Sequence, residues 1–417
     1  DYYASRGLGD VYKRQVFTVC NLAYIGKALT LADSLFTATG NKLNIFIIDR
    51  KNEEVTNKKE ITNICKITWI EDCAVPDFKR LSFKYDVIEL TTSLKPFIAK
   101  KLLNEAQKVI FFDPDVMVFN SLSGILSELD SHSVLLTPHY FVPKTDTEIN
   151  DMQLMRFGFH NLGFFAVNNN EESQKFLDWW WNRCSAECFI DAQYGIFTDQ
   201  KWLDVATGFF SFIHTSFNAG FNVAYWNLDQ RNISKKDDTF YVNSDSPLVF
   251  FHFSSFNFQN PEEVSYRYYS LGNNSKEILG LLGKKYYDCL KQYNLMFSDV
   301  KYSFDYMSDG KTYVNPVLRR AYASIIDEFT PSANPFDMNG DVARFARKNH
   351  LFGKKNEKYK ALGYRELKDS STRRKINIVF CFLRFLLRIM GPNNFMNLSR
   401  LFVYLSSYQR VGNLWKK

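Results

Sequence analysis

Short continuous apolar runs alternate along this chain with longer stretches in which apolar residues recur every three or four positions. The run "VFTVCN" at 16–21 reads as a buried strand, and "YIGKALTLADSLFTAT" after it carries a helical stripe of Ile25, Ala28, Leu29, Ala32 and Leu35. "KLNIFIID" at 42–49 is again apolar throughout and ends in a carboxylate, Asp49. Strands without polar alternation are covered on both faces, so this succession implies a parallel sheet flanked by helices. "KITWI" at 66–70 is a third strand. "TTSLKPFIAKKLLNE" opens a helix with Ser93 as N-cap and Pro96 in the first turn, where its missing N–H is harmless. Further strands are expected at 108–112, 133–139 and 161–168, and a last core strand in "PLVFFHFSSFN" at 247–257. The helix "EESQKFLDWWWNRC" begins with two acidic residues beside its positive end, and its Phe176, Trp180 and Cys184 follow at intervals of four.

Past about residue 260 the pattern turns helical and more polar, with "KEILGLLGKKYYDCLKQY" the clearest amphipathic stretch. Ile376 to Met390, "INIVFCFLRFLLRIM", is nearly all apolar but holds Arg384 and Arg388, which makes it too short and too charged for a membrane span. Two readings stand. It is an interfacial helix introduced by Arg373, Arg374 and Lys375, with "LSRLFVYLSSYQR" as a second apolar face beyond Gly391 and Pro392, or it is a core helix docked on the main domain. At the other end, "DYYASRGLGDVYKRQ" has no initiator Met and no signal-peptide apolar region, and it stops abruptly at the first strand. Residues 1–15 resemble translated sequencing-adapter sequence and are expected to be non-native.

Composition narrows the class. With 417 residues, 46% of them hydrophobic and 23% charged, the chain can bury a full core and is not disordered. The 17% of aromatics suits a sugar-binding cleft, although phenylalanine filling the core explains it more simply. A net charge of +7 is modest and gives no reason to expect a nucleic-acid partner. Basic residues crowd the C-terminal hundred, as in "RFARKNHLFGKKNEKYK" and "STRRK", which fits an anionic membrane surface. Seven widely spaced cysteines form no disulfide framework, and a reducing compartment is the simpler reading. Cys184 and Cys188 lack a second pair or nearby histidine to complete a zinc site and read as core thiols.

The sharpest chemical signal is "KVIFFDPDVMVFN" at 108–120, which carries Asp113 and Asp115 to the end of an otherwise apolar strand. Alternate residues of an extended chain point the same way, and Pro114 keeps Asp113 out of the helical region, so the two carboxylates share a face. Their mutual repulsion calls for a cation. Oxygen ligands of this kind suit Mg²⁺ or Mn²⁺ held together with substrate phosphates. A lone Asp-x-Asp can equally be a solvated turn, but ligands of open α/β sheets collect at the carboxyl ends of strands.

Seen together, "FTVCNLAYIGKALTLADSL", "LKPF", "IFFDPDVMVF", "LLTPH", "NLGFFAVN", "FTDQKWLD", "FNVAYWNL" and "FFHFSSF" span about Phe17 to Phe256 in a recognisable order. The chain resembles the metal-dependent glycosyltransferases of the GT-A fold, and most closely the bacterial group similar to glycosyltransferase family 8 that builds surface polysaccharides. The resemblance implies an α/β, Rossmann-like catalytic domain at 16–260; beyond it the pattern itself gives a helical C-terminal extension at 261–370 and basic amphipathic helices at 371–417 that lie on a membrane surface or dock. The resemblance assigns Asp113, Asp115 and His252 as ligands of Mn²⁺ or Mg²⁺, although "SSF" after His252 departs from the usual His-x-x-Gly form. It places Asp199 and Gln200 beside the reacting sugar as catalytic residues and Asn161 on the donor sugar, with Gly163 permitting close backbone approach. Lys95 would meet donor phosphate or sugar hydroxyls, Tyr24 and Asp49 the base and ribose, and Asn222 and Trp226 the acceptor side, Trp226 being equally a core residue.

The expected activity is transfer of a hexose from a nucleotide diphosphate, UDP above all, to a saccharide or lipid-linked acceptor, in a cytoplasmic protein that a membrane-surface reading of 371–417 would place on the inner face of the cell membrane. Two other classes are weighed against it. A glycoside hydrolase needs carboxylates flanking a bond about 5 Å or more apart, which Asp113 and Asp115 serve poorly. A noncatalytic carbohydrate-binding protein would account for the aromatics but not for the ordered polar set.

Overall fold

A computed structural model describes residues 14–52, 62–145, 148–267, 269–294, 300–353, 370–406 and 414–415. Of the N-terminal stretch expected to be non-native, 1–13 lie outside the described residues, while Arg14 and Gln15 open the first strand. The chain divides into two compact units, one running to residue 78 and from 87 to 303, the other comprising 79–86 and the chain from 304.

In the first unit, β1 (Arg14–Cys20) leads into helix α1 (Ile25–Thr39), then β2 (Leu43–Ile47) and β3 (Cys65–Trp69). Helix α2 (Lys95–Leu103) precedes β4 (Lys108–Phe112), β5 (Val116–Val118), β6 (Val134–Pro138) and β7 (His160–Asn168). Helix α3 (Glu171–Ala186), β8 (Ile213–Thr215), β9 (Val223–Ala224) and β10 (Phe250–His252) follow. A seven-stranded sheet has the order β8-β6-β7-β4-β1-β2-β3, parallel throughout except at β7, which runs antiparallel to both of its neighbours. The expectation of a parallel sheet therefore holds for most of it. Strand β7 is as continuously apolar as the rest, because burial on both faces selects apolar residues whatever the strand's direction.

The aromatic surplus is largely core. Phe17, Phe111 and Phe165 meet across neighbouring strands, Phe17 and Phe111 at 5.0 Å and Phe111 and Phe165 at 5.2 Å, and Trp180 of α3 closes on Phe165 at 5.1 Å. The last expected strand is shorter than its apolar run and belongs to a second, three-stranded sheet, β9-β10-β5. One register step past His252 and Val116, the Phe253 N–H still donates to the Asp115 carbonyl at 2.8 Å, which ties the end of this strand to the aspartate. The helix Lys276–Asn294 lies in this same unit, past the 260/261 boundary read from the sequence, since Tyr286 stacks on Phe253 at 4.1 Å.

The second unit is tied by one arginine. Buried Arg319 donates to the carbonyls of Ser82, Phe83, Tyr85 and Phe304, while Phe83 packs on Tyr322 and Phe336. Two helices, α4 (Ser370–Met390) and α5 (Pro392–Ser406), join at Gly391, whose φ of 75° is costly for any residue with a Cβ. Many of their apolar side chains are exposed, among them Ile378, Phe382, Phe385, Ile389 and Phe402. Among the described residues no helix is long and apolar enough to cross a membrane.

Candidate active site

Strand β4 ends at Phe112, and the chain turns through Asp113-Pro114-Asp115 before pairing again as β5. The turn is pinned from both sides: Asp113 N–H donates to the Gly163 carbonyl at 2.8 Å, and Val116 N–H to the Asp113 carbonyl at 3.1 Å. In the second sheet His252 lies opposite Val116, which sets its ring beside Asp115. Nε2 of His252 is 3.1 Å from Asp115 Oδ1 and 3.9 Å from Asp113 Oδ2. The three groups offer ligand atoms within 4.8 Å of one another, the described cluster that could hold a metal ion.

The chemistry of the donor set fits a divalent cation. Asn222 uses its amide N–H groups on Thr137 Oγ1 (2.9 Å) and Asn161 Oδ1 (3.0 Å), so its own Oδ1 faces His252 Nδ1 at 3.3 Å as an acceptor. That commits the Nδ1 proton and turns Nε2 toward the carboxylates, the arrangement in which an outer hydrogen bond fixes the tautomer of a metal-binding histidine. Gly163 is required at this point, but for a reason the sequence did not show: a Cβ at this position would lie 2.3 Å from His252 Cε1 and 2.5 Å from Nδ1. The close approach is made by the histidine ring.

Two ammonium groups answer the carboxylates. Lys95, 2% exposed, donates to the Leu162 carbonyl at 2.8 Å and pairs with Asp113 at 3.4 Å and Asp199 at 3.1 Å. Burial works against its charge, but the two aspartates outweigh burial and hold the ammonium above its usual range. Lys27 of α1 lies 3.7 Å from Asp115 Oδ2 and 4.2 Å from the centre of the Tyr24 ring. Burial would raise the Asp115 pKa, yet Lys27 and His252 together keep it well below the usual carboxylate range. For Asp199, buried at the foot of the cluster, burial prevails over Lys95 and shifts the carboxyl upward.

Residues 42–204 match the nucleotide-diphospho-sugar transferase family model. The match takes in Lys95, Asp113, Asp115, Asn161, Gly163, Asp199 and Gln200 and ends before Asn222, Trp226 and His252. The matched span carries a nucleotide-diphospho-sugar transferase domain. It is 30% identical over 183 residues to the uncharacterized protein YfnF of Bacillus subtilis (strain 168), covering 43% of this chain and 60% of that protein. It is 24% identical over 260 residues to the uncharacterized protein YfnD of the same strain, covering 60% of this chain and 81% of YfnD. Among solved structures, the galactosyltransferase LgtC in complex with donor and acceptor sugar analogs is 13% identical, covering 69% of this chain and 97% of its own, with a TM-score of 0.42.

The remaining expected site residues of this glycosyltransferase domain fall into two groups. Asn161 joins the cluster directly, accepting from the Gly163 N–H at 3.1 Å and donating to His139 Nε2 at 3.3 Å, while the His139 Nδ1 proton is taken by the Phe159 carbonyl. Trp226 stands edge-on to His252 at 5.2 Å, with its Nε1 buried and unpartnered. Gln200, by contrast, has both ends of its amide engaged, accepting from Leu162 N–H at 3.0 Å and donating to the Phe157 carbonyl at 2.7 Å. Asp49 is buried, holding Leu22 N–H through one oxygen and the Ser303 N–H and hydroxyl through the other. Only Tyr24 stands open, 47% exposed.

Sequence reasoning missed Lys27 and Thr198. Thr198 holds φ at 48°, a strained conformation for a β-branched residue, and donates its hydroxyl to Asp199 Oδ1 at 3.1 Å. The signal for Lys27 was present: a cation in the first turn of a helix opposes the helix dipole and needs a local reason.

Proposed function

We propose that this chain transfers a hexose from a nucleotide diphosphate, UDP-hexose, to a saccharide or lipid-linked saccharide in cell-surface polysaccharide synthesis, as a relative of glycosyltransferase family 8. The observation that supports this most is the convergence of Asp113, Asp115 and His252, with the His252 ring oriented by Asn222. These three residues would hold Mn²⁺ or Mg²⁺. A divalent cation there supplies Lewis-acid charge to a diphosphate leaving group. The anomeric C–O bond to the diphosphate breaks, a new C–O bond forms to the acceptor hydroxyl, and the hydroxyl proton passes to the departing phosphate, with retention of configuration.

In this scheme the chain's residues mainly orient and compensate. Tyr24 presents an exposed ring to the base, and Asn161 faces the donor sugar. Lys95 holds Asp113 and Asp199 in place, so it acts on the donor through those carboxylates rather than by touching phosphate itself. Asp199 stabilises the positive charge that develops on the sugar ring, and Gln200 fixes Leu162, and with it the start of β7, beside it. Asn222 and Trp226 border the acceptor side. Should the reaction invert instead, Asp199 is the candidate base, and the upward shift of its carboxyl favours that role. Metal-dependent UDP binding separates this reading from both a noncatalytic carbohydrate-binding protein and a glycoside hydrolase, neither of which needs a nucleotide.

The reading extends to location. Between 370 and 417 there are nine lysines and arginines and no aspartate or glutamate, a local charge larger than the +7 of the whole chain. With their exposed apolar side chains, α4 and α5 fit the inner, anionic surface of the cell membrane. Removal of the chain after Ser371 should abolish sedimentation with anionic vesicles, and unchanged sedimentation would remove the membrane from the proposal.

Calorimetry of UDP with Mn²⁺ and with chelator tests the central claim. Binding should require the metal and weaken by about 100-fold or more in Asp115→Ala, since loss of a mere outer partner of a metal ligand already costs about 10–100-fold. A folded protein that binds UDP equally well in chelator would strip the aspartates of any part in holding a metal-diphosphate.

A further inference from the structure

Lys27 stands apart from the other charged groups of the site in being able to move. Lys95 is enclosed, with three oxygen partners around one ammonium. Lys27 leaves 24% of its side chain exposed, approaches Asp115 at the long distance of 3.7 Å, and otherwise rests its ammonium over the exposed Tyr24 ring. It sits in the first turn of α1, where the dipole disfavours a cation, and α1 has no side-chain N-cap to compensate. What keeps a lysine there is the carboxylate it faces.

That carboxylate is one that a metal would need. Asp115 has Lys27 on Oδ2 and His252 on Oδ1, so both of its oxygens are engaged by cation or ring nitrogen. Three carboxylates, Asp113, Asp115 and Asp199, face two ammoniums, Lys27 and Lys95. A divalent cation turns that excess of negative charge into an excess of positive charge, and the least enclosed ammonium is then the one displaced. A diphosphate arriving on the metal brings new negative charge to the same place, within reach of a flexible four-carbon stem.

Resting on the proposed metal-diphosphate function, we infer that Lys27 is an exchanging counter-ion: it holds Asp115 in the empty site, gives that carboxylate up to the metal, and transfers to the donor's diphosphate. Lys27 is then a positioning residue for the metal and a binding residue for the donor. The two roles have opposite signs. Removing the ammonium frees Asp115 for the metal but deprives the diphosphate of a partner.

The test measures Mn²⁺ binding without nucleotide, by electron paramagnetic resonance of free Mn²⁺, and UDP binding in saturating Mn²⁺ by calorimetry, on the full chain. In Lys27→Gln, Mn²⁺ alone should bind about 10-fold tighter and UDP about 10-fold weaker, each being one charge contact of ordinary size. Lys27→Arg should stay within a few-fold of the wild type in both. A merely structural lysine would weaken both ligands together or neither, and either of those results overturns the exchange. If the wild-type chain itself binds neither Mn²⁺ nor UDP, the underlying function fails; if it binds both and Lys27→Gln does not separate them, only the exchange fails.

Discussion

Two regions of this protein treat charge and apolar surface in opposite ways. At the carboxyl ends of the central strands of the first unit, three aspartates and two lysines gather in and around the core, and each carboxylate lies near an ammonium or a ring nitrogen. In α4 and α5, Phe382, Phe385, Ile389 and Phe402 face outward, and every charge is positive. Buried charge persists only where it is compensated, whereas exposed apolar surface persists where something outside the fold covers it. The first region is compensated from within. The second turns its apolar surface outward, where the proposed membrane contact would cover it.

The sharpest way to break the first half of that contrast is Lys95→Met. It removes the ammonium shared by Asp113 and Asp199 and leaves an aspartate buried without its partner, at a cost of about 3–5 kcal/mol in denaturant unfolding. Retention of full stability would mean that the pairing is incidental. A smaller effect comes from His160, which is 3% exposed, with Nε2 on Thr215 Oγ1 at 2.8 Å and Nδ1 buried without a partner. Burial pushes its pKa down to about 4, so between the ordinary value near 6.5 and about 4 the unfolded chain binds a proton that the folded chain refuses. Stability should thus fall as pH drops through that window, by about 2 kcal/mol at pH 5, at 1.36 kcal/mol per pH unit. His160→Gln should make the fall shallower without removing it, because burial lowers His139 to about 4 as well, as measured by melting temperature against pH.

Much of the first region could be read from residue order alone. The apolar runs at 16–21, 42–49, 66–70, 108–112, 133–139 and 161–168 are all strands of the central sheet, because a strand covered on both faces leaves a dense apolar signature. Strand direction leaves none, and so the reversal at β7 was not visible. Asp113 and Asp115 were legible as a pair from their spacing, although the chain turns between them instead of running extended, and their meeting with His252 depends on a small three-stranded sheet that no local pattern announces. Roles were harder still. Gln200, Asp49 and Lys95 are polar residues in apolar settings, which marks them as engaged without telling whether the partner is a substrate or, as in this fold, mostly the chain itself. In α4 and α5 the apolar run was plain, and only exposure could separate a membrane face from a core face.

Gly163 sharpens the contrast at finer scale. Gly163→Ala puts a methyl group against the His252 ring, which must shift away from the aspartates. Metal affinity should fall about 10-fold, the lower range for disturbing a ligand's orientation, with global stability changed far less than in Lys95→Met. Equal losses in stability and metal affinity would show that the glycine serves the fold rather than the site.

A last test asks whether the second region would bind a membrane by charge as well as by apolar contact. Arg384 and Arg388 interrupt the otherwise apolar run from Ile378 to Met390 at an interval of four, where a helix places them on one face. An arginine pair inside a buried apolar face would be costly, but at a lipid surface each guanidinium reaches the headgroups while its stem stays among acyl chains. Each basic residue near an anionic leaflet contributes about 1 kcal/mol and is screened by salt. The double change Arg384→Gln with Arg388→Gln should then lower partition onto vesicles containing phosphatidylserine by about 30-fold at low salt and by much less at high salt. Partition onto neutral vesicles, driven by the same apolar side chains, should hardly move. A loss that is equal on both lipids and insensitive to salt would instead mark the two arginines as supports of the helix itself, and the completing surface as one recognised by its apolar character alone.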